Sequence, residues 1–185
     1  NANIWIWGRY GNENPRGFEI IASQENIPEF GGRFQYPVPR GEIALSYHHR
    51  VADAANYPSL TELEEIPENR FGLDGKWDVE VGLWFEASYV QKSKEVGLLT
   101  HQTYTTLGTD YTFGLGNGLN VSIEHLVGTL DQKAFEFNNI IHSSAAMISY
   151  PISMYDVISI MNSYSWDMQA YSFFLNYEHQ FKHFT

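Results

Sequence analysis

The chain has no cysteine, so a disulfide framework and thiolate metal sites are excluded. Positive charge is scarce: 11 Lys and Arg stand against 22 Asp and Glu, a net charge of −11. So few cations cannot build the basic patch that meets phosphates, which argues against nucleic acid as a partner. No apolar run approaches the ~20 residues of a spanning helix, and a mean hydropathy of −0.32 is too polar for a helical membrane protein. There is no helical period, low-complexity tract, interdomain linker or repeat beyond a strand–turn rhythm. The 185 residues suit one domain.

What the chain has is aromatic side chains in period-two order. It is 43% hydrophobic and 16% aromatic, with 12 Tyr, 12 Phe and 5 Trp. Across residues 77–90, Trp77, Val79, Val81, Leu83, Phe85, Ala87 and Tyr89 alternate with Asp78, Glu80, Gly82, Trp84, Glu86 and Ser88. Side chains on a strand alternate faces, so this segment presents an apolar face and a face carrying three carboxylates. As one strand it would run roughly 45 Å at ~3.3 Å per residue, longer than soluble strands.

The same reading along the chain gives strands at Asn3–Gly11, Gly17–Ser23, Phe30–Val38, Glu42–Ala52, Arg70–Leu73, Trp77–Tyr89, Thr100–Leu115, a return strand from Leu119, Phe135–Tyr150, Met154–Asn162 and Met168–Phe181. Tight turns are expected near 12–16, 39–41, 74–75, 116–118 and 151–153, and longer polar loops near 24–29, 53–69, 91–97, 128–134 and 163–167. Gly116-Asn117-Gly118 is the strongest hairpin signal, because Asn and Gly tolerate positive φ.

Short and long connections thus alternate, and a closed barrel is the one β architecture that satisfies every backbone group in lipid. The expected fold is all-β, an antiparallel transmembrane up-and-down β-barrel in one domain. About eleven strands with a first strand running inward is an odd count for such barrels. The chain also shows neither an initiator Met nor a signal peptide. The expectation is therefore a C-terminal portion lacking upstream strands, against a complete small barrel with one strand miscounted.

Through the alternation of Trp77–Tyr89, the Asp110–Gly118 hairpin and the aromatic last strand from Tyr171 to Phe181, the chain resembles bacterial outer-membrane porin-like barrels. The resemblance implies the bacterial outer membrane as location, outer-membrane lipids as neighbours and the barrel assembly machinery as a partner during insertion. A homo-oligomer is compatible with it. The family's C-terminal aromatic would be Phe184, here followed by Thr185.

If the apolar faces meet lipid, the opposite faces meet a lumen. Those positions hold Glu42, His48, Arg50, Asp78, Glu80, Trp84, Glu86, Asp110 and Glu124. Their acidic excess reads as a solvated wall favouring cations and polar solutes; the alternative is that inward polar residues pair and fill a narrow barrel. His142, Ser144 and Asp156 form a second candidate set: base, nucleophile and orienting acid. Their spacing resembles lipid A deacylases, which carry a His-x-Ser pair and a downstream Glu; here the acid is Asp. His48 and His49 lie on opposite faces and cannot share a metal. Gly114–Gly118 opens no helix, so it is no phosphate loop. Glu62, Glu64, Glu65 and Glu68 read as a solvated acidic loop rather than a Ca²⁺ site. The leading expectation is a channel without cofactor or metal. A lipid hydrolase and a non-conducting anchor or adhesin are the alternatives.

Overall fold

The computed structural model describes residues 1–17, 19–54 and 65–181. It is all-β. The strands are β1 (Asn3–Arg9), β2 (Ala22–Ser23), β3 (Glu29–Val38), β4 (Gly41–Asp53), β5 (Ile66–Asp78), β6 (Gly82–Lys92), β7 (His101–Phe113), β8 (Leu119–Asp131), β9 (Ile140–Pro151), β10 (Asp156–Ser165) and β11 (Ala170–His179). They form one antiparallel up-and-down sheet in the order β1-β3-β4-β5-β6-β7-β8-β9-β10-β11, with β2 paired to β4 off that path. The sheet is not closed into a barrel: β1 and β11 are its edges.

Most expected strands appear, but the first loops and the 74–81 region differ. Asn12–Arg16 is not a hairpin turn. Residues 10–28 form one long connection, in which, among the described residues, Ala22 and Ser23 pair as a strand, against Asp53 and Ala52. With that segment off the ladder, β1 runs toward the long connections rather than away from them.

Asp74-Gly75 is not a turn either. β5 continues through it to Asp78, and the reversal falls at residues 79–81, where Glu80 adopts φ 107°. The single 77–89 strand is therefore two strands. Short connections at 39–40, 79–81, 114–118 and 152–155 alternate with longer ones at 10–28, 54–65, 93–100 and 132–139; the last, 166–169, is short. Of the expected 53–69 loop, residues 55–64 lie outside the described residues, with Glu62 and Glu64. Phe184 and Thr185 lie outside them too.

Contacts divide the chain into two compact units, Asn1–Gly75 with Glu86–Thr105 and Gly128–Ile140, and Lys76–Phe85 with Thr106–Val127 and Ile141–Thr185. In the first unit the polarity of an ordinary core is inverted. Ala44, Arg50 and Ala52 are buried on one face of β4, while Leu45 on the other face is 59% exposed. Ile66 and Glu68 of β5 and Val90 and Lys92 of β6 are likewise buried. Ile4, Ile6, Phe30, Phe34 and Phe71 are exposed. Over the described residues, the buried set holds nine polar or charged side chains against seven apolar ones. Ile21, Ala52, Ala54, Ile66 and Val96 form the one small apolar cluster, with Leu99 against it.

In the second unit the register of β9, β10 and β11 gathers most of the aromatic side chains on one face and most of the serines on the other. Residues directly opposite share a face. Ile148, Tyr150, Ile158, Ile160, Tyr164, Tyr171, Phe173, Leu175 and Tyr177 fall on one, together with Ser144, Asp156 and Asn162, and Ser143, Ser149, Ser159, Ser163, Ser172 and Asn176 on the other, together with Met147, Val157, Met161 and Phe174. Two of the short connections are tied together. The Asn117 Nδ2 donates to the carbonyls of Pro151 and Ile152 at 3.0 and 3.1 Å.

Candidate functional site

The most built site lies on the buried face of the first unit, where β4, β5 and β6 project charge at alternate positions. Arg50 donates through Nε to Glu68 Oε1 at 2.7 Å, through Nη1 to Glu19 at 3.2 Å and Ser23 at 3.0 Å, and through Nη2 to the Ile21 carbonyl at 2.9 Å. Arg70 donates to Glu68 and to Glu19, each at 2.6 Å. Lys92 Nζ lies 3.1 Å from Glu68 and donates to the Leu99 carbonyl at 2.9 Å. Period two explains the convergence. Glu68 and Arg70 stand two apart on β5, and the segment after β1 brings Glu19 and Ile21 to them.

Three cations thus share two carboxylates. Arg50 and Glu68 are 1% exposed and Lys92 is 5% exposed, while the Arg70 side chain is 26% exposed, so the surplus positive charge is only partly reached by bulk water. Beside the cluster is a cavity of about 290 Å³ whose walls include Arg16, Arg70, Lys92, Ser88 and Gln102, with Ile20, Ile21, Val90 and Leu99 as the apolar part.

Toward β3 the pattern repeats on a smaller scale. Arg33 grips Asp74 with two hydrogen bonds of 2.5 and 2.7 Å. Trp7 Nε1 donates to His48 Nδ1 at 3.1 Å, and His48 Nε2 lies 3.2 Å from Glu29. The Trp7 ring sits where a Cβ on Gly31 would be, at 2.6 Å, so glycine is the floor that admits the indole.

The expected lumen residues separate into groups. His48 and Arg50 lie on the buried side of β4, as the alternation implies, but they are paired within the protein rather than lining open water. Glu42 is exposed and accepts from Gln35. Asp78, Glu80 and Asp110 meet in a polar cavity of about 330 Å³ in the second unit, with Lys76, Trp77 and Thr112. Trp84 packs over Gly108, whose added Cβ would lie 2.1 Å from the ring. Glu86 and Glu124 are exposed and join neither cluster.

The acidic wall is also not unopposed. Arg33, Arg70 and Lys92 were missed among the candidate residues, and Glu68 stands in a strand rather than in a solvated loop. One signal was available: charges at Glu68, Arg70, Asp74, Lys76 and Asp78 keep period two.

The His142, Ser144 and Asp156 set is not assembled. Ser144 is opposite Tyr164, and Asp156 is eight residues earlier on β10, roughly 26 Å at ~3.3 Å per residue. Asp156 instead engages Ser153, Tyr177 and His179. The partner of Ser144 is His125, at 2.8 Å from Nδ1, and Trp166 Nε1 donates to the same hydroxyl at 2.9 Å. No carboxylate contacts the His125 ring among the described residues, so a nucleophile and a base meet there without the orienting acid that hydrolysis by this route uses. All of this lies on the aromatic-rich face of β9 and β10. Comparisons of the chain with protein-family models, curated proteins and solved structures return no match, so sequence and geometry carry the reading alone.

Proposed function

We propose that the chain spans a bacterial outer membrane as an up-and-down β-barrel and passes small polar solutes through a narrow, charge-lined interior. The observation that carries this is the inverted polarity: apolar and aromatic side chains stand exposed along the strands, while buried positions hold Arg50, Glu68, Lys92, Gln102, Thr129 and Asp131. In water such a surface would aggregate, and the buried charges would cost stability. In a bilayer the exposed faces meet acyl chains and the buried faces a polar interior. The alternation of short and long connections from β1 to β10, the exposed aromatics and the all-β order of the described residues agree with it. Closure requires β1 and β11 to find partners, since open edges of this length are aggregation templates.

The preference for cations would rest on Asp78, Glu80 and Asp110, whereas the Arg50 network offers the opposite sign. A specific observation favours a second reading, a non-conducting anchor: the Arg50, Glu68 and Glu19 network crowds its part of the buried face with ion pairs. Planar-bilayer recording of the purified protein decides between the two. Discrete single-channel steps with a reversal potential in a salt gradient are expected of the channel. A folded, inserted protein with no conductance would overturn the channel and leave the anchor.

A further inference from the structure

We infer that the cavity in the first unit is a binding site for a small organic anion, a carboxylate carrying a short apolar body. Three features of the cavity combine. Arg50, Arg70 and Lys92 outnumber Glu19 and Glu68, and this surplus charge sits where water cannot fully solvate it, so one further negative charge completes the balance. Gln102 is 6% exposed and lines the cavity, so a carboxamide stands at the wall beside Lys92.

The apolar part of the wall is Ile20, Ile21, Val90 and Leu99, which suits a hydrocarbon, and Glu19 and Glu68 also line the cavity and disfavour a doubly charged, fully hydrated ion such as sulfate. A volume of about 290 Å³ lies at the small end of ligand pockets. The carboxylate would take hydrogen bonds from Arg70, Lys92 and the Gln102 amide, with its apolar end against Val90 and Leu99. This inference concerns binding and holds whether or not the protein conducts.

Calorimetric titration of the full chain in a non-ionic maltoside detergent tests it, with hexanoate, 1-hexanol, hexylammonium and sulfate as probes. Hexanoate should bind at least tenfold more tightly than the alcohol, and more weakly as salt is raised. Hexylammonium and sulfate should not register. Gln102→Leu should weaken hexanoate about tenfold, and Lys92→Met should abolish the preference for hexanoate over hexanol. Should Lys92→Met fail to fold, judged by its heat-modifiable migration, Gln102→Leu decides alone. Equal affinity for hexanoate and hexanol, sulfate binding as tight as hexanoate, or hexanoate affinity unchanged in Gln102→Leu would each overturn the assignment.

Discussion

Arg50 and Glu68 face each other as a two-point ion pair that solvent does not reach: Nε to Oε1 is 2.7 Å, Nη2 to Oε2 is 3.2 Å, and each side chain is 1% exposed. A pair so placed gains its Coulomb energy only because further donors and acceptors complete each partner. Here Glu19, Ser23 and the Ile21 carbonyl complete Arg50, while Arg70 and Lys92 complete Glu68.

The two ends of this pair should not be equally costly to remove. Glu68→Gln leaves Arg50, Arg70 and Lys92 with Glu19 alone, raising the buried excess of positive charge. Arg50→Met lowers that excess and keeps an apolar stem of similar length. Breaking a buried pair from one side costs about 3–5 kcal/mol. Glu68→Gln is expected at that level and Arg50→Met below it, read by urea unfolding with tryptophan fluorescence in detergent. A larger loss for Arg50→Met would mean that packing, not charge balance, dominates the cluster.

Period two made much of this legible and hid the rest. On β4 the run Ile43, Leu45, Tyr47, Val51 fixed the faces, and Arg50 and His48 fell on the expected side. At 74–81 the same period misled. Asp74-Gly75 has turn composition, but Asp74 is held in a strand by Arg33, forty-one residues away, a contact no local pattern carries. The true reversal is Val79-Glu80-Val81, which contains no turn residue. A three-residue reversal returns even-numbered side chains to the same face, so the alternation runs on through it. Asp156 shows a different limit. Sequence placed it on a strand near Ser144, but only the register of β9 on β10 reveals that the two lie at opposite ends.

The Glu80 backbone supplies its own test. A φ of 107° is unfavourable for any residue with a Cβ and easy for glycine. Glu80→Gly should therefore raise stability, by up to about 1–2 kcal/mol, the order of the cost a Cβ carries in the left-handed region, whereas Glu80→Val keeps that cost, adds β-branching and should be no more stable than the parent. If both substitutions unfold at the same urea midpoint, the reversal does not sit at residue 80.

Trp84 and Gly108 are coupled by space. A Cβ at 108 would lie 2.1 Å from the indole, so Gly108→Ala must displace the ring or the strand. Overpacking of this kind costs about 1–3 kcal/mol. The double variant Gly108→Ala with Trp84→Leu should be more stable than the sum of the two singles predicts, because leucine vacates the volume that alanine needs. Additive losses in that double-mutant cycle would place Trp84 elsewhere.

The exposed faces make a prediction that depends on lipid. Leu107, 60% exposed in the middle of β7, should meet acyl chains, while Glu86 of β6 belongs to the polar side. Leu107→Arg should cost roughly 2–4 kcal/mol in a bilayer if the site is near the midplane, and Glu86→Arg much less. Equal losses in folding experiments with lipid vesicles would contradict the assigned faces.

The connections predict a sidedness, and the absence of native cysteine makes it measurable without background labelling. Asn117 sits in a short connection and binds the backbone of another at Pro151 and Ile152, so the 114–118 and 152–155 turns belong to one end of the sheet. Lys94 and Lys133 lie in the longer 93–100 and 132–139 connections at the other end. In outer-membrane barrels short turns face the periplasm and long loops face outward. A membrane-impermeant maleimide applied to intact cells should therefore modify Lys94→Cys and Lys133→Cys and spare Asn117→Cys, which should react once the outer membrane is opened. The Lys133 and Asn117 variants control each other, since both residues are exposed. Labelling of Asn117→Cys alone on intact cells would reverse the orientation, and labelling of all three would show that the sheet does not cross the membrane at all.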